Sequence, residues 1–299
     1  MKQENINEFI HECLLIEAEE AKKAGAIGFM AKCLIQASLP YRDPGEHTKA
    51  WGRENGNFSL VIQPGYVLKK GETKSIGFPF GNIPRLLLAW ITTEAVKTKQ
   101  STLVLGHSLS EFMRQLDLTP TGGRWGSITR IKEQTKRLFS AHIACTYDAE
   151  DGFCMEPIQI ADKTILWWDP KNPEQAALWQ STIELNLKFF DSIIKDPVPI
   201  DMRALKLLKH SPMALDIYCW LTHRMSYLTA TTNPIAWGLL QMQFGSHYAE
   251  TPQGRQGFKR NFLKQLRAVN AVYSKANVDH NDLGLILKPS PPHIPFKPM

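Results

Sequence analysis

The residues best suited to bind a ligand lie in a basic stretch near the C-terminus of the sequence. Residues 253–275 contain six Lys and Arg residues and no acidic residue. At 100° per residue, Arg260, Lys264 and Arg267 fall on one side of a predicted helix over 256–273. The apolar residues on its opposite side are Phe258, Phe262, Leu266, Val269 and Tyr273. A helix that is anchored on one side and cationic on the other is suited to following phosphates along a nucleic-acid groove.

A second basic stretch lies at 122–142, where five Lys and Arg residues accompany a single acid, Glu133. The whole chain carries a net charge of +6, which is less than the two stretches carry together, so the rest of the chain is net acidic. Positive charge concentrated in this way is what a polyanion-binding surface requires. For either stretch alone, a solvated basic face without a ligand is the alternative. The residues predicted to line the buried side of the second helix are Ile128, Ile131, Leu138 and His142.

Ten residues of the two stretches are predicted to contact DNA. Arg can bind guanine with two hydrogen bonds, whereas Lys mainly neutralises phosphate. Groove contacts are expected from Arg260, Lys264 and Arg267, and phosphate contacts from Arg255 and Lys259 near the start of the same helix. The predicted contacts in the first stretch are Arg124, Thr129, Lys132, Lys136 and Arg137.

The elements around the first basic helix occur in an informative order. A largely apolar helix over 82–97 is followed by a short strand at 102–105 and by a capping box that starts at Ser108. A Gly-rich turn, the basic helix and a hairpin formed by 144–148 and 153–160 complete the series. This is the order of a winged helix-turn-helix domain, in which the third helix enters the major groove and the hairpin, or wing, lies along the backbone.

The second half of the chain repeats this order, with equivalent landmarks 128 to 130 residues later, such as Pro84 and Pro212. The predicted fold is therefore α+β, with two tandem winged helix-turn-helix domains behind an N-terminal helical extension. The expected division is 1–57 for an N-terminal helix (6–24) and a polar loop (40–57), 58–170 for the first winged domain and 171–299 for the second. A Pro-containing joint is expected at 169–176.

Other kinds of site have weak support in the sequence. His residues never occur two apart, and no P-loop motif is present, so neither a His-pair metal site nor ATP hydrolysis is expected. No cofactor is predicted. The five Cys residues lack CxxC spacing, and no apolar run approaches the roughly 20 residues of a membrane span. The N-terminus does not resemble a secretory signal, which predicts a cytoplasmic protein.

Three blocks of the sequence resemble a known family. Residues 79–90 read PFGNIPRLLLAW, 106–113 read GHSLSEFM and 121–130 read TGGRWGSITR, followed by EQ at 133–134 and RLF at 137–139. In this order and spacing they resemble the plasmid-encoded RepA replication initiators, and a looser resemblance extends from about 58 to 292. The blocks span about 60 continuous residues, which makes the resemblance specific.

The resemblance implies an activity that the residue patterns alone do not. Initiators of this kind bind repeated origin sites (iterons) through tandem winged helices, help to open the nearby duplex, and recruit the host initiator and the replicative helicase. It also implies that the first winged domain mediates a homodimer in exchange with the monomer, which is the form that binds the origin. A catalytic centre is not expected.

Two alternatives remain open at this stage. A winged-helix transcriptional repressor would have the same fold and the same DNA contacts. A metal-dependent DNA nickase would need a cluster of carboxylates or His residues, or a nucleophilic Tyr beside one. No such cluster is apparent in the sequence: Asp148, Glu150 and Asp151 lie together, but on a predicted wing turn.

Overall fold

The computed structural model describes residues 3–149, 152–167, 171–175, 181–245 and 247–295. Helices and strands alternate in an α+β fold, which confirms the predicted class. In the described residues, no helix is both long enough and apolar enough to cross a membrane. The helices are α1 (Gln3–Ala18), α2 (Cys33–Gln36), α3 (Asn82–Thr98), α4 (Leu109–Gln115), α5 (Ser127–Ser140), α6 (Leu187–Lys195), α7 (Met202–Leu208), α8 (Pro212–Tyr227), α9 (Trp237–Phe244) and α10 (Pro252–Val272).

The strands of the described residues form five small antiparallel sheets, with the strand orders β1-β11, β2-β3-β7-β8, β4-β5, β6-β10-β9 and β12-β14-β13. Their bounds are β1 (Ile27–Ala31), β2 (Trp51–Asn55), β3 (Phe58–Gln63), β4 (Tyr66–Lys69), β5 (Glu72–Ser75), β6 (Thr102–Val104), β7 (His142–Ala149), β8 (Gly152–Ile158), β9 (Ala161–Ile165), β10 (Thr182–Leu185), β11 (Pro197–Asp201), β12 (Ile235–Ala236), β13 (Val278–His280) and β14 (Gly284–Leu287).

Two units of the fold share one topology. In the first, α3, β6, α4 and α5 are followed by an inserted hairpin, β7–β8, and then by β9 and β10, and the sheet order is β6-β10-β9. In the second, α8, β12, α9 and α10 are followed by β13 and β14, with the sheet order β12-β14-β13. In both units the first strand pairs with the third, and the third with the second. This is the sheet of a winged helix, and the third helix of each unit is the predicted basic helix.

The predicted wing of the first unit was assigned to the wrong hairpin. The hairpin formed by β7 and β8 exists, but β7 pairs with β3, so both strands extend a sheet that begins at β2. In the first winged unit the wing position belongs instead to β9 and β10, whose connection at 166–181 lies partly outside the described residues. Alternation along a strand identifies a hairpin but not the third strand that it joins, because that partner is far away in the sequence.

The N-terminal 57 residues contribute more than the predicted helix and loop. Helix α1 ends at Ala18, and β2 forms within the stretch 40–57 that we predicted as a loop, so that part of the prediction was wrong. Strand β1 pairs with β11, from Ile27 opposite Asp201 to Ala31 opposite Pro197. Of the predicted joint at 169–176, residues 171–175 are described and form turns and bends, and the other three lie outside the described residues. The boundary at 170/171 stays a prediction, although β10 lies beyond it and pairs with β6 and β9.

The first helices of the two units are joined by a buried ion pair. Arg85 of α3 is 3% exposed and donates from Nε and Nη2 to the two carboxylate oxygens of Asp216 on α8, both at 2.7 Å. The remaining guanidinium hydrogens reach backbone oxygens of Gly81 and Leu39. Burial raises the pKa of the Asp216 carboxyl, and the charge of Arg85 opposes that rise. The pair therefore joins α3 of the first winged unit to α8 of the second.

A second polar cluster ties the C-terminal segment to the core. The buried Tyr218 hydroxyl accepts a hydrogen bond from the Asp201 backbone N–H at 2.8 Å and lies 2.8 Å from Nδ1 of His293. Either the hydroxyl or the Nδ1–H of a neutral imidazole can be the donor in this contact, depending on the His293 tautomer. The His293 ring also stacks on Tyr273 with a centroid distance of 4.6 Å. Burial lowers the pKa of His293 to about 4.

The buried His293 predicts acid-sensitive stability. In the unfolded chain a His titrates near pH 6.5, so between pH 6.5 and 4 the unfolded state binds the extra proton. The free energy of unfolding is therefore expected to fall as the pH falls through this window, by about 3 kcal/mol in total. Urea unfolding at pH 7, 5.5 and 4.5 measures this. His293→Gln, whose amide can donate to or accept from Tyr218, should remove that part of the slope, and an unchanged slope in this variant would contradict the assignment.

Candidate nucleic-acid interface

Helix α10 has the two sides that the sequence predicts. It begins earlier than expected, at Pro252, because the Thr251 hydroxyl accepts from the Gly254 N–H at 3.1 Å and caps the helix. All five apolar residues of the predicted inner side are buried. The predicted contact residues on the outer side that are exposed to solvent are Arg255, Arg260, Lys264 and Arg267.

Lys259 differs from the other predicted contacts of α10. Its ammonium lies 4.9 Å from the centre of the Trp237 ring and 3.4 Å from the carboxylate of Asp282 in the turn between β13 and β14. The side chain therefore bridges α10, α9 and the wing of the second unit. Asp282 partly neutralises the charge of Lys259, so Lys259 adds less to the positive potential of the outer side than Arg260 or Lys264 does.

Helix α5 is held at its start by an ordered turn. The Ser127 hydroxyl donates to the Thr119 carbonyl oxygen at 2.6 Å and accepts from the Thr121 N–H at 2.9 Å. Gly126 is required here, because a Cβ atom would lie 2.2 Å from the Thr121 carbonyl oxygen. Thr129, a predicted DNA contact, is exposed, and its hydroxyl donates to the Gly123 carbonyl oxygen at 2.9 Å. The turn thus presents a fixed backbone beside the outer side of α5.

The remaining predicted contacts of the first unit differ in their exposure to solvent. Arg124 and Lys136 are exposed, and Lys132 is half-buried at the edge of the outer side. Arg137 is 19% exposed: its guanidinium pairs with Asp43 at 2.7 Å and donates to the Phe78 carbonyl oxygen at 3.2 Å. Because its Nη1 group is bound by Asp43 and Phe78 and the side chain is largely covered, we leave Arg137 out of the proposed contact set.

On the inner side of α5, Ile128, Ile131 and Leu138 are buried as predicted. His142 lies at the start of β7 and is exposed, so its predicted place on the buried side was wrong. The helix ends at Ser140, two residues before His142, and the helical spacing therefore no longer applies there.

Sequence reasoning missed one conspicuous side chain of the turn. Trp125 is 81% exposed, and the guanidinium of Arg124 lies 5.1 Å from the centre of its ring. A Trp side chain exposed to this degree is unusual in a folded protein, since it carries a large apolar area. The signal available in the sequence was a Trp placed directly after a Gly-Gly-Arg turn.

A metal centre finds no support in the described part of the chain. No group of three or more His, Cys, Asp or Glu residues there could hold a metal ion. Of the acidic run at the tip of the β7–β8 hairpin, Glu150 and Asp151 lie outside the described residues.

Comparison with known families concerns the first unit most directly. Residues 78–238, more than half of the chain, match the family described as "Plasmid encoded RepA protein". The chain belongs to this family. RepA proteins of this family are plasmid replication initiators, and replication initiation is the function that membership gives. The matched residues run from just before α3 into the start of α9, so α10 lies beyond the match.

Solved structures with a related fold are those of RctB domains. A crystal structure of its domains 2 and 3 in selenomethionine form matches with a TM-score of 0.50 and 10% identity, over 81% of this chain and 85% of that chain. A second RctB structure of domains 2–3 matches with a TM-score of 0.49 and 11% identity, over 85% of this chain and 96% of that chain. At such identities the likeness concerns the fold alone. A search of curated proteins gave no significant match.

Proposed function

We propose that this RepA protein starts plasmid replication by binding repeated sites in origin duplex DNA through the outer sides of α5 and α10. The observation that carries the proposal is the repetition itself: each helix is third in a winged unit, and the two units have the same sheet order. Each helix is buried on one side and exposes cations on the other. The proposed contacts are Arg124, Thr129, Lys132, Lys136, Arg255, Lys259, Arg260, Lys264 and Arg267.

The joint between the units supports simultaneous binding. Arg85 and Asp216 join α3 to α8, and α5 packs on α3 while α10 packs on α8, so a continuous set of packed helices connects the two basic helices. Two winged units that each enter a major groove on one face of the duplex would lie about 10 base pairs apart and protect about 20 base pairs. Hydroxyl-radical footprinting on an origin repeat tests this. Protection over half that length would mean that a single unit binds DNA.

The further steps follow family membership and extend the proposal. The protein would help to open the nearby duplex and recruit the host initiator and replicative helicase, without chemistry of its own. A replication assay asks whether this gene and its upstream repeats sustain a plasmid, which a repressor alone would not do. Incubation with supercoiled origin DNA and Mg²⁺ or Mn²⁺ tests the absence of chemistry, because a nicked product would show a nuclease.

The proposed oligomeric behaviour is a homodimer, formed through the first winged unit, in exchange with an origin-binding monomer. Sedimentation of the protein with and without a single origin repeat tests this exchange. A complex that contains one chain per repeat, from a stock that sediments as a dimer, is the expected result. A complex with two chains on one repeat would contradict it.

The role of Lys264 can be measured through salt dependence. Each lost phosphate contact lowers the slope of log K against log [salt] by about 0.9. We expect Lys264→Ala to lower the slope by this amount, with Lys97→Ala at the exposed end of α3 as the control that leaves it unchanged. Fluorescence anisotropy with a labelled repeat gives both slopes. An unchanged slope for Lys264→Ala would remove this residue from the interface.

A further inference from the structure

An exposed hairpin between the N-terminal segment and the first winged unit has no role in the proposal above. Within the described part of the chain, strands β4 and β5 pair only with each other, and every residue from 66 to 75 is exposed to solvent. An isolated two-stranded hairpin is marginally stable in water, because it has no third element to cover it. A hairpin with both faces in solvent therefore points to a partner that covers it. It also precedes residue 78, where the match to the RepA family begins.

The two faces of the hairpin differ in chemistry. Directly opposed residues of an antiparallel pair share a face. Val67 pairs with Lys74 and Lys69 with Glu72, which makes one face charged. The other face carries Tyr66 and Leu68 with their partners Ser75 and Thr73, and Leu68 is 76% exposed.

The tip of the hairpin carries two adjacent Lys residues, Lys69 and Lys70. Lys70 and Gly71 both have positive φ, 54° and 81°, as in the two-residue turn that joins tightly paired strands. Lys69 and Lys70 have no ion-pair partner among the described residues, whereas Lys74 pairs with Glu72 at 3.1 Å. Residues 66–75 contain three Lys and one Glu, so the arm carries a net positive charge. Free cations at the end of a thin arm suit a polyanion.

The base of the hairpin lies against the outer side of α5. A Cβ atom on Gly65 would lie 2.5 Å from the Cβ atom of Ser140, so the backbone at Gly65 packs directly on that residue. Ser140 follows Lys136 by four residues and Thr129 by eleven, which places all three on one helical face. The hairpin base thus contacts α5 on the side that carries the proposed DNA contacts. At about 3.3 Å per residue, the arm extends roughly 13 Å from this base.

We propose that the β4–β5 hairpin is a second DNA-contacting arm, which lies along the duplex next to the segment that α5 enters. Lys69 and Lys70 would neutralise phosphates there, and the Tyr66 and Leu68 face would contact the sugar edges. A two-stranded ribbon fits a DNA groove, as other β-ribbon proteins demonstrate. This inference rests on the proposed DNA-binding function and adds a contact surface to it.

The test uses Lys69→Gln combined with Lys70→Asn. Asn favours the left-handed conformation of position 70, so the turn keeps its shape while two charges are removed. The matched control is Lys97→Gln with Lys99→Asn, because Lys99 also has a positive φ, 58°, and both residues are exposed at the end of α3. We expect the hairpin variant to bind the origin repeat about tenfold more weakly and to lower the salt slope by about 1.8, while the control keeps both values.

Footprinting provides a second, independent measurement. The hairpin variant should lose protection at the end of the site next to the first unit and retain it over the segment bound by α10. Affinity and footprint equal to wild type would overturn the proposal, and so would normal DNA binding combined with loss of self-association, which would make the hairpin a protein-docking element. If wild-type protein fails to bind any repeat, the DNA-binding function itself is wrong. Circular dichroism of both variants establishes that they are folded.

Discussion

Replacing Arg260 by Glu is expected to weaken binding of an origin repeat by roughly 100-fold, with no loss of folded protein. The side chain is exposed on the outer side of α10, one turn before Lys264 and two turns before Arg267. The change removes a phosphate contact and places a negative charge against the DNA backbone. Together these effects cost about 2–3 kcal/mol of binding free energy, and 1.4 kcal/mol corresponds to a factor of ten.

The measurement is an anisotropy titration with a labelled repeat and with an unrelated duplex of equal length. Lys97→Glu serves as the control for the change in total charge, because Lys97 is exposed at the end of α3. Arg260→Glu should lower affinity far more than this control does, and its midpoint in urea should match that of wild type. Equal effects of the two variants would mean that only the net charge of the protein matters, and α10 would then not be the contact helix.

The second large effect concerns stability. Replacing Arg85 by Met is expected to lower the free energy of unfolding by about 3–5 kcal/mol, because Asp216 is left buried without its partner. Two hydrogen bonds from Arg85 to carbonyl oxygens, at 2.6 and 2.7 Å, are lost as well. Met fills much of the volume of the Arg side chain. The decrease in the free energy of unfolding therefore comes mainly from the lost ion pair and hydrogen bonds, and only in small part from a cavity. Urea unfolding at pH 7 measures it.

The double variant Arg85→Met with Asp216→Leu separates the interaction from the cost of burying each charge. Removing both charges leaves no unpaired ion in the interior, so the double variant should be more stable than Arg85→Met alone. Additive losses would show that the two side chains do not stabilise each other. In that case the orientation of the winged units would have to be fixed by the apolar packing between α3 and α8.

The third helices of the winged units were predictable because their information is local. The apolar residues of α10 recur every three or four positions, and this spacing alone places Phe258 and Phe262 inside and Arg260 outside. The start of the helix was placed too late, since the sequence pattern favoured Gln256 over the Thr251 cap. Helix ends depend on a single side-chain hydrogen bond, which spacing does not reveal.

Features that depend on distant partners were missed. The pattern of β7 and β8 predicts a hairpin, but nothing in it specifies that β7 pairs with β3, whose residues lie 79 to 89 positions earlier in the chain. Arg137 lies at the side of α5, and only the fold brings Asp43 within 2.7 Å of it. The same holds for Arg85, an Arg within an apolar helix, whose partner Asp216 lies on another helix.

The pairing of β1 with β11 has a consequence for synthesis on the ribosome. Ile27 is made early, and its partner Asp201 is made only after the first winged unit has been translated. At roughly 5–20 amino acids per second, the edge of β1 waits on the order of ten seconds or more for its neighbour. Nascent chains that stall before residue 197 would therefore keep an open strand edge, a feature that promotes aggregation and attracts chaperones.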